Sequence, residues 1–299
     1  MNDVVFNKKG TVRYLAWTFG IAWAMQVIVA VLYRSGLPEV SRLLIAIMMF
    51  VPLFGARFSG QSLSDMGWKP RFKGNVRMIL TAWFLPTVLT VVGAALYFAA
   101  FPGHFDLSGE FILVNAGEEA LAQMEAQGLT LPLYIALSVV SGMTFAPLLN
   151  MFLALGEEVG WRGYLSAQLK ARFGKRRGWL IGGVIWGMWH WPLMWLTGYE
   201  YGTNYVGFPI VGMLLFCIFT TAAGILCDWL YEKTNCIWVP SIFHGAVNAA
   251  GTLPAVICAV NTGSAVLLGP APIGVLAGLP LIVCALTLWI KAGDRSKGR

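Results

Sequence analysis

The chain of 299 residues is 58% hydrophobic and only 12% charged, with a mean hydropathy of +0.69. A soluble domain carries about 25% charged residues, so this composition excludes a water-soluble globule, a disordered chain and a fibrous repeat. The fold class that remains is all-α, a polytopic membrane protein.

A spanning helix needs roughly 20 apolar residues. The first such run covers 14–33, behind Lys8, Lys9 and Arg13. Ala22-Trp23-Ala24 loosely mimics a signal cleavage site, but the spans that follow favour an uncleaved first helix. The second run, 43–56, is short and is better started near Pro38, and the third covers 78–101. Between them, the connector 58–76 holds a short amphipathic piece at 63–68. Loop 102–130 has no Lys or Arg, carries Asp106, Glu110, Glu118, Glu119 and Glu125, and is expected to be partly helical over 116–127.

A fourth run starts at Leu131 and continues past Leu155, with Pro147 expected to bend it. Further runs at 179–196, 208–231, 236–253 and 274–290 bring the expected count to about eight. The stretch 254–272 is apolar but broken by Gly and Pro, as a re-entrant or interfacial piece would be. This divides the chain into 1–130 (three spans and the acidic loop), a core at 131–253, and the last span with its basic tail at 254–299.

With the N-terminus inside, the inner segments collect Lys8, Lys9, Arg13, Arg57, Lys69, Arg71, Lys73 and Arg77. The block 170–177, Lys233, Lys291, Arg295, Lys297 and Arg299 fall on the same side, while only Arg34 and Arg42 fall outside. This is the positive-inside pattern, and an even span count returns the C-terminus to the cytosol. The net charge of +7 therefore sets orientation, helped by anionic lipid, and calls for no nucleic acid. The expected location is a prokaryotic inner or plasma membrane, with the bilayer itself as partner. The five cysteines show no CxxC spacing, which argues against a disulfide framework or a cysteine zinc knuckle.

Ionisable side chains inside a bilayer are costly, at about 2.5–3.5 kcal/mol each on insertion scales, and mark functional sites by default. Here they are Glu157, Glu158, Arg162, His190 and His244, with Asn248 as a neutral polar companion. At 1.5 Å per helical residue, Glu157 and His190 each stand about 18–20 Å from the basic residues Lys170 and Arg177, and His244 about 15–17 Å from Lys233. Three helices thus place their rare polar groups at one depth, which points to one shared site. Glu158 and Arg162 are i, i+4 and form an expected ion pair. His244 and Asn248 share a face for the same reason, and Trp186, one turn before His190, can pack as a wall beside it.

Glu157-Glu158-Val159-Gly160-Trp161-Arg162 resembles the EExxxR motif of the CAAX prenyl protease and bacteriocin-processing (CPBP, or Abi) intramembrane proteases. Trp186-Gly187-Met188-Trp189-His190 is similar to that family's FxxxH motif, with Trp in place of Phe, and His244-Gly245-Ala246-Val247-Asn248 to its HxxxN motif. The resemblance implies an eight-helix endopeptidase with a cavity open to the cytosol. Its substrate would be a membrane-associated, optionally prenylated, protein or peptide at the cytosolic face. Glu157 and His190 would activate water, His244 and Asn248 would stabilise the oxyanion, and Glu158 with Arg162 would support them.

A two-histidine, one-carboxylate set of Glu157, His190 and His244 could hold zinc. The chain has no HExxH, and the reading leans to a metal-free glutamate mechanism. Other protease classes fit worse, because Asp228 is the only aspartate in a span and no GxSG serine accompanies either histidine. The alternatives are a non-catalytic immunity or scaffold protein of the same fold, and a proton-coupled transporter, for which no inverted repeat is found.

Overall fold

The computed structural model describes residues 4–60 and 62–293. Among the described residues the secondary structure is helical, apart from one isolated antiparallel bridge between Phe105 and Cys258. The basic tail residues Arg295, Lys297 and Arg299 lie outside the described residues, as does the side chain of Glu125.

Helix α1 (Lys8–Arg34) is capped by Asn7, whose side chain accepts from the Gly10 N–H. Next come α2 (Pro38–Met48) and α3 (Val51–Phe58), each opened by a proline in its first turn, where no backbone donor is lost. Helix α4 (Val76–Ala100) follows, and the acidic loop contains α5 (Glu110–Ala116) and α6 (Glu118–Ala126). Helix α7 (Leu131–Met143) meets α8 (Ala146–Glu158) at a 51° bend, just before the Pro147 expected to cause one. Residues Val159–Leu165 are wound as a π-helix and lead into α9 (Ser166–Phe173). Then come α10 (Lys175–Trp189), α11 (Trp191–Thr197), α12 (Ile210–Thr234), α13 (Trp238–Gly251) and α14 (Leu279–Lys291).

Among the described residues, four segments are long and apolar enough to cross a bilayer: α1, the α2–α3 pair, α4 and α12; the bent α7–α9 run makes a fifth. The other expected spans correspond to shorter helices, α10 with α11, α13 and α14. The first of these breaks at His190 because Pro192, in the first turn of α11, supplies no N–H for the ladder. The piece at 63–68 is a set of turns rather than a helix. It buries Met66, and the neighbouring Trp68 carbonyl accepts from Trp238 Nε1 at 2.7 Å.

Large apolar side chains point outward along α1 and α4, among them Val27, Ile28, Val31, Val88 and Val91, as a lipid solvent permits. Inward faces are small or polar: Ala82, Thr87, Thr90 and Ala94 on α4 are buried. Helix α12 is the most enclosed span and packs closely on α10. Gly183 allows that approach, because a Cβ there would meet the Thr221 Cα at 2.3 Å. Thr220 Oγ1 then donates to the Gly183 carbonyl at 2.9 Å across the contact.

The molecule has two distinct ends. At one, Asn7 N–H donates to Gln168 Oε1 at 2.7 Å and Arg176 Nε to the Trp289 carbonyl at 3.0 Å, gathering the basic starts and ends of α1, α9, α10 and α14. At the other, Arg34 reaches the Leu196 carbonyl at 2.9 Å, Asp106 N–H reaches the Ile257 carbonyl at 3.0 Å, and Glu110 Oε2 accepts from Val260 N–H at 2.9 Å. The 254–272 stretch belongs to this second end, as two short 3₁₀ turns packed against the acidic loop.

Candidate active site

The motif residues Glu157, His190, His244 and Asn248 line one cavity of about 270 Å³ enclosed by α2, α8, α10–α13 and residues 271–273. Glu158 and Arg162 stand behind it, buried at 0% and 4% exposure. Arg162 Nη1 donates to Glu158 Oε1 at 3.1 Å, and His244 Nδ1 meets the same oxygen at 2.8 Å. The expected i, i+4 pair therefore forms, although the backbone after Glu158 is π-wound, which the sequence reading did not foresee. Single π turns inside α-helices recur at functional sites. The winding brings Gly160 against Pro52, where a Cβ would sit 2.4 Å from that side chain.

Glu157 is held by aromatic donors. The Trp161 indole donates to its Oε2 at 3.0 Å and the Trp186 indole to the same oxygen at 2.7 Å. The Trp186 face covers the Arg162 guanidinium at 4.4 Å, and its edge lies against His244 with ring centroids 5.1 Å apart. The substitution of Trp for Phe in the second motif thus has a chemical consequence: a phenyl ring has no N–H to give. With Oε2 satisfied twice, Oε1 is the oxygen left for the cavity. The Trp186 ring, expected beside His190, lies on the cavity against His244 and adds a hydrogen bond to Glu157.

The tautomers follow from their partners. His190 Nδ1 is 3.0 Å from the Trp186 carbonyl, which only accepts, so Nδ1 carries the proton and Nε2 keeps its lone pair in the neutral ring. His244 Nδ1 faces a carboxylate oxygen that already accepts from Arg162, so it too donates. Both rings are thereby oriented with Nε2 as their working atom.

Sequence reasoning missed three contributors. Gln26, in the middle of α1, bridges the break between α10 and α11: its Nε2 donates to the Trp189 carbonyl at 2.7 Å and its Oε1 accepts from Leu193 N–H at 2.8 Å. Those are the two groups a continuous helix would have joined, so one amide side chain replaces one ladder bond and holds the backbone on both sides of His190. The sequence signal was a lone amide in an otherwise apolar span. Trp161 was read only as a letter of its motif. Glu200, on the cavity wall, has φ 74° between the left-handed Gly198 and Gly202. A non-glycine residue in that region stores about 1–3 kcal/mol of strain, of the kind that clusters at functional sites.

A metal would need the Glu157, His190 and His244 donors to converge. Among the described residues no three His, Cys, Asp or Glu side chains are grouped so as to hold an ion. Glu157 Oε2 is moreover occupied by two N–H donors. The residues present do not fit a metal, and no step is derived through one.

Known proteins match this region. The family model described as type II CAAX prenyl endopeptidase Rce1-like matches residues 139–250. A Methanococcus maripaludis protein named CAAX prenyl protease 2 is 31% identical over 107 residues. That alignment covers 35% of this chain and 39% of the relative, so the chain spans about two fifths of the length of the curated relative it matches. The motif-bearing core is thus similar to the Rce1-like CAAX prenyl endopeptidases. Within the matched residues lie the three polar motifs and the helices that carry them. The wall residues of α2 and the 271–273 segment lie outside the family match and close the same cavity, and Gln26, also outside it, braces the backbone around His190.

Proposed function

We propose that the chain is an intramembrane endopeptidase that hydrolyses a peptide bond in a membrane-associated protein or peptide, prenylated or not, in a prokaryotic inner or plasma membrane. The observation that carries this reading is the meeting of Glu157, His190, His244 and Asn248, from α8, the α10–α11 break and α13, on one cavity. One carboxylate oxygen there is fixed and the other is left for a water.

In the proposed reaction, a water in the cavity donates one O–H to Glu157 Oε1 and the other to the lone pair of His190 Nε2. Its oxygen adds to the peptide carbonyl carbon as Glu157 takes the first proton. The carbonyl electron pair moves onto oxygen, which Asn248 Nδ2 and His244 stabilise. His244 donates from Nε2 only when the ring is doubly protonated, and the Glu158 carboxylate at 2.8 Å balances that charge. Collapse breaks the C–N bond while Glu157 returns its proton to the leaving nitrogen, giving a carboxylic acid and an amine. No metal is required by this balance, and the base and acid are the same group at successive steps.

The test is cleavage of prenylated and unprenylated membrane-anchored peptides by purified protein in nanodiscs, with Glu157→Ala alongside. The wild type is expected to cleave and Glu157→Ala to be inactive. Equal processing by both would overturn the assignment and leave the non-catalytic scaffold reading.

A further inference from the structure

Of the two carboxylates on the cavity, the hydrolysis above uses Glu157 and leaves Glu200 without a role. Glu200 follows α11 in a tight turn, where Gly202 N–H donates to the Gly198 carbonyl at 2.7 Å. Its φ of 74° is left-handed, between Gly198 at 73° and Gly202 at 69°. Glycine takes that conformation without penalty, so the turn itself does not call for a glutamate. With Asn248, Glu200 is exposed at the lip of the cavity. The preceding Tyr199 ring lies parallel to the His190 imidazole, at 3° with centroids 6.3 Å apart. Desolvation by the surrounding wall pushes the Glu200 carboxyl above its ordinary value, and the Tyr199 hydroxyl offsets part of that. An opposite charge beside it would favour the ionised form.

No such charge is built in. The lining residues include no lysine or arginine, and Glu200 takes part in none of the ion pairs among the described residues. Other enclosed carboxylates are matched: Glu158 by Arg162, and Asp228 and Glu232 by Lys170. Among the described residues Glu200 is not grouped with two further His, Cys, Asp or Glu side chains, as a protein-held metal ion would require. Resting on the protease reading above, we propose that Glu200 is a specificity residue that receives an ammonium or guanidinium group of the bound peptide. The group is carried by a lysine or arginine side chain or by a free N-terminus. With 6.3 Å between the Tyr199 and His190 rings and about 3.8 Å between consecutive Cα atoms, Glu200 is on the order of 10 Å from His190. That is the length of about three residues of extended peptide, so the cation belongs within about three residues of the scissile bond. Leu193, Phe216, Phe219 and Ile273 offer the intervening side chains an apolar wall. An acidic side chain at the same position meets like charge.

The probes are membrane-anchored decapeptides, acetylated at the N-terminus, in which one lysine is walked through an alanine and leucine background. Matched sets carry norleucine or glutamate at the walked position, and a further norleucine set has a free N-terminus. Binding to Glu157→Gln protein in nanodiscs is read by fluorescence anisotropy, with Glu200 intact and with Glu200→Gln or Glu200→Lys added. At one register lysine is expected to bind about tenfold tighter than norleucine, with the margin shrinking as salt rises. Glu200→Gln is expected to erase that preference, and Glu200→Lys to transfer it to the glutamate set. Glu200→Gly, free of strain at this φ, removes the carboxylate without threatening the turn. Tighter binding confined to the free N-terminus, and lost with Glu200→Gln, supports the site and assigns the cation to the peptide terminus. A lysine preference untouched by the Glu200 substitutions overturns the inference, as does equal or absent binding of every set with Glu200 intact. The same peptides are then offered to the wild type. Charge-selective binding without any cleavage sinks the protease reading and leaves the cation site standing.

Discussion

Two groups of polar residues are packed among α8 to α13, one near the basic face and one on the cavity. Near the basic face, Asp228 accepts from Lys170 at 2.7 Å, from Ser166 at 2.5 Å and from the Trp179 indole. Glu232 accepts from Lys170 at 3.0 Å and from Lys175 at 2.6 Å. Each charge there faces an opposite charge. In the cavity group the bonds stop one atom short: Glu157 keeps Oε1, His190 and His244 each keep Nε2, and Asn248 is exposed on the lip. Buried charge that is fully paired supports a helix bundle, whereas buried charge that is oriented but unspent can act on a guest.

Substitutions can break this contrast. Glu157→Gln keeps the shape and loses the base; turnover is expected to fall by about 10²–10⁴-fold with the melting temperature in detergent unchanged. Asp228→Ala should do the reverse. Lys170 keeps Glu232, but Ser166 and the Trp179 indole lose their acceptor, at about 1–3 kcal/mol each if water cannot reach them, read as a lower melting temperature, with the kcat of the folded fraction close to wild type. An inactive but fully stable Asp228→Ala protein would erase the distinction. Trp186→Phe restores the family's usual residue and removes one donor from a carboxylate, a bond worth about 1.5–3 kcal/mol. It is expected to lower kcat by roughly ten- to a hundredfold with KM unchanged, and a change in KM alone would make Trp186 a wall and nothing more.

Gln26→Leu leaves the Trp189 carbonyl and the Leu193 N–H unpaired, at about 1–3 kcal/mol each if water cannot reach them. Reduced stability is expected together with reduced kcat, because the backbone carrying His190 loses its brace. A purely thermal effect would mean that the break holds His190 without help. The smallest expected effect is that of prolonged chelation, which should leave turnover unchanged; loss of activity recovered by zinc would require Glu157, His190 and His244 to draw together.

Much of the site was legible in the chain. Six polar residues stood out because an apolar span makes any ionisable group conspicuous, and the i, i+4 spacings of Glu158 with Arg162 and of His244 with Asn248 follow from helix geometry alone. Pro147 marked the bend before α8 correctly. Pro192 carried the same information for the break at His190 and was not used, so α10 and α11 were read as one span. Asp228 was noted only as a missing half of an aspartyl pair. Its partners Ser166, Lys170 and Trp179 come from other helices, and no local pattern announces them.

What the sequence by itself determined is the solvent and the candidate polar groups. Twelve per cent charge demands a bilayer, and three short motifs single out the polar side chains proposed to react. These depend only on residue type and on a period of 3.6 residues, both of which are written locally. Only the tertiary structure decided that two indoles meet on a single oxygen of Glu157 and that Gln26 spans 163 residues of sequence to replace a missing ladder bond. Hydrogen bonds are directional over tenths of an ångström, and the groups that satisfy them lie on separate helices. Their pairing exists only once the helices are packed.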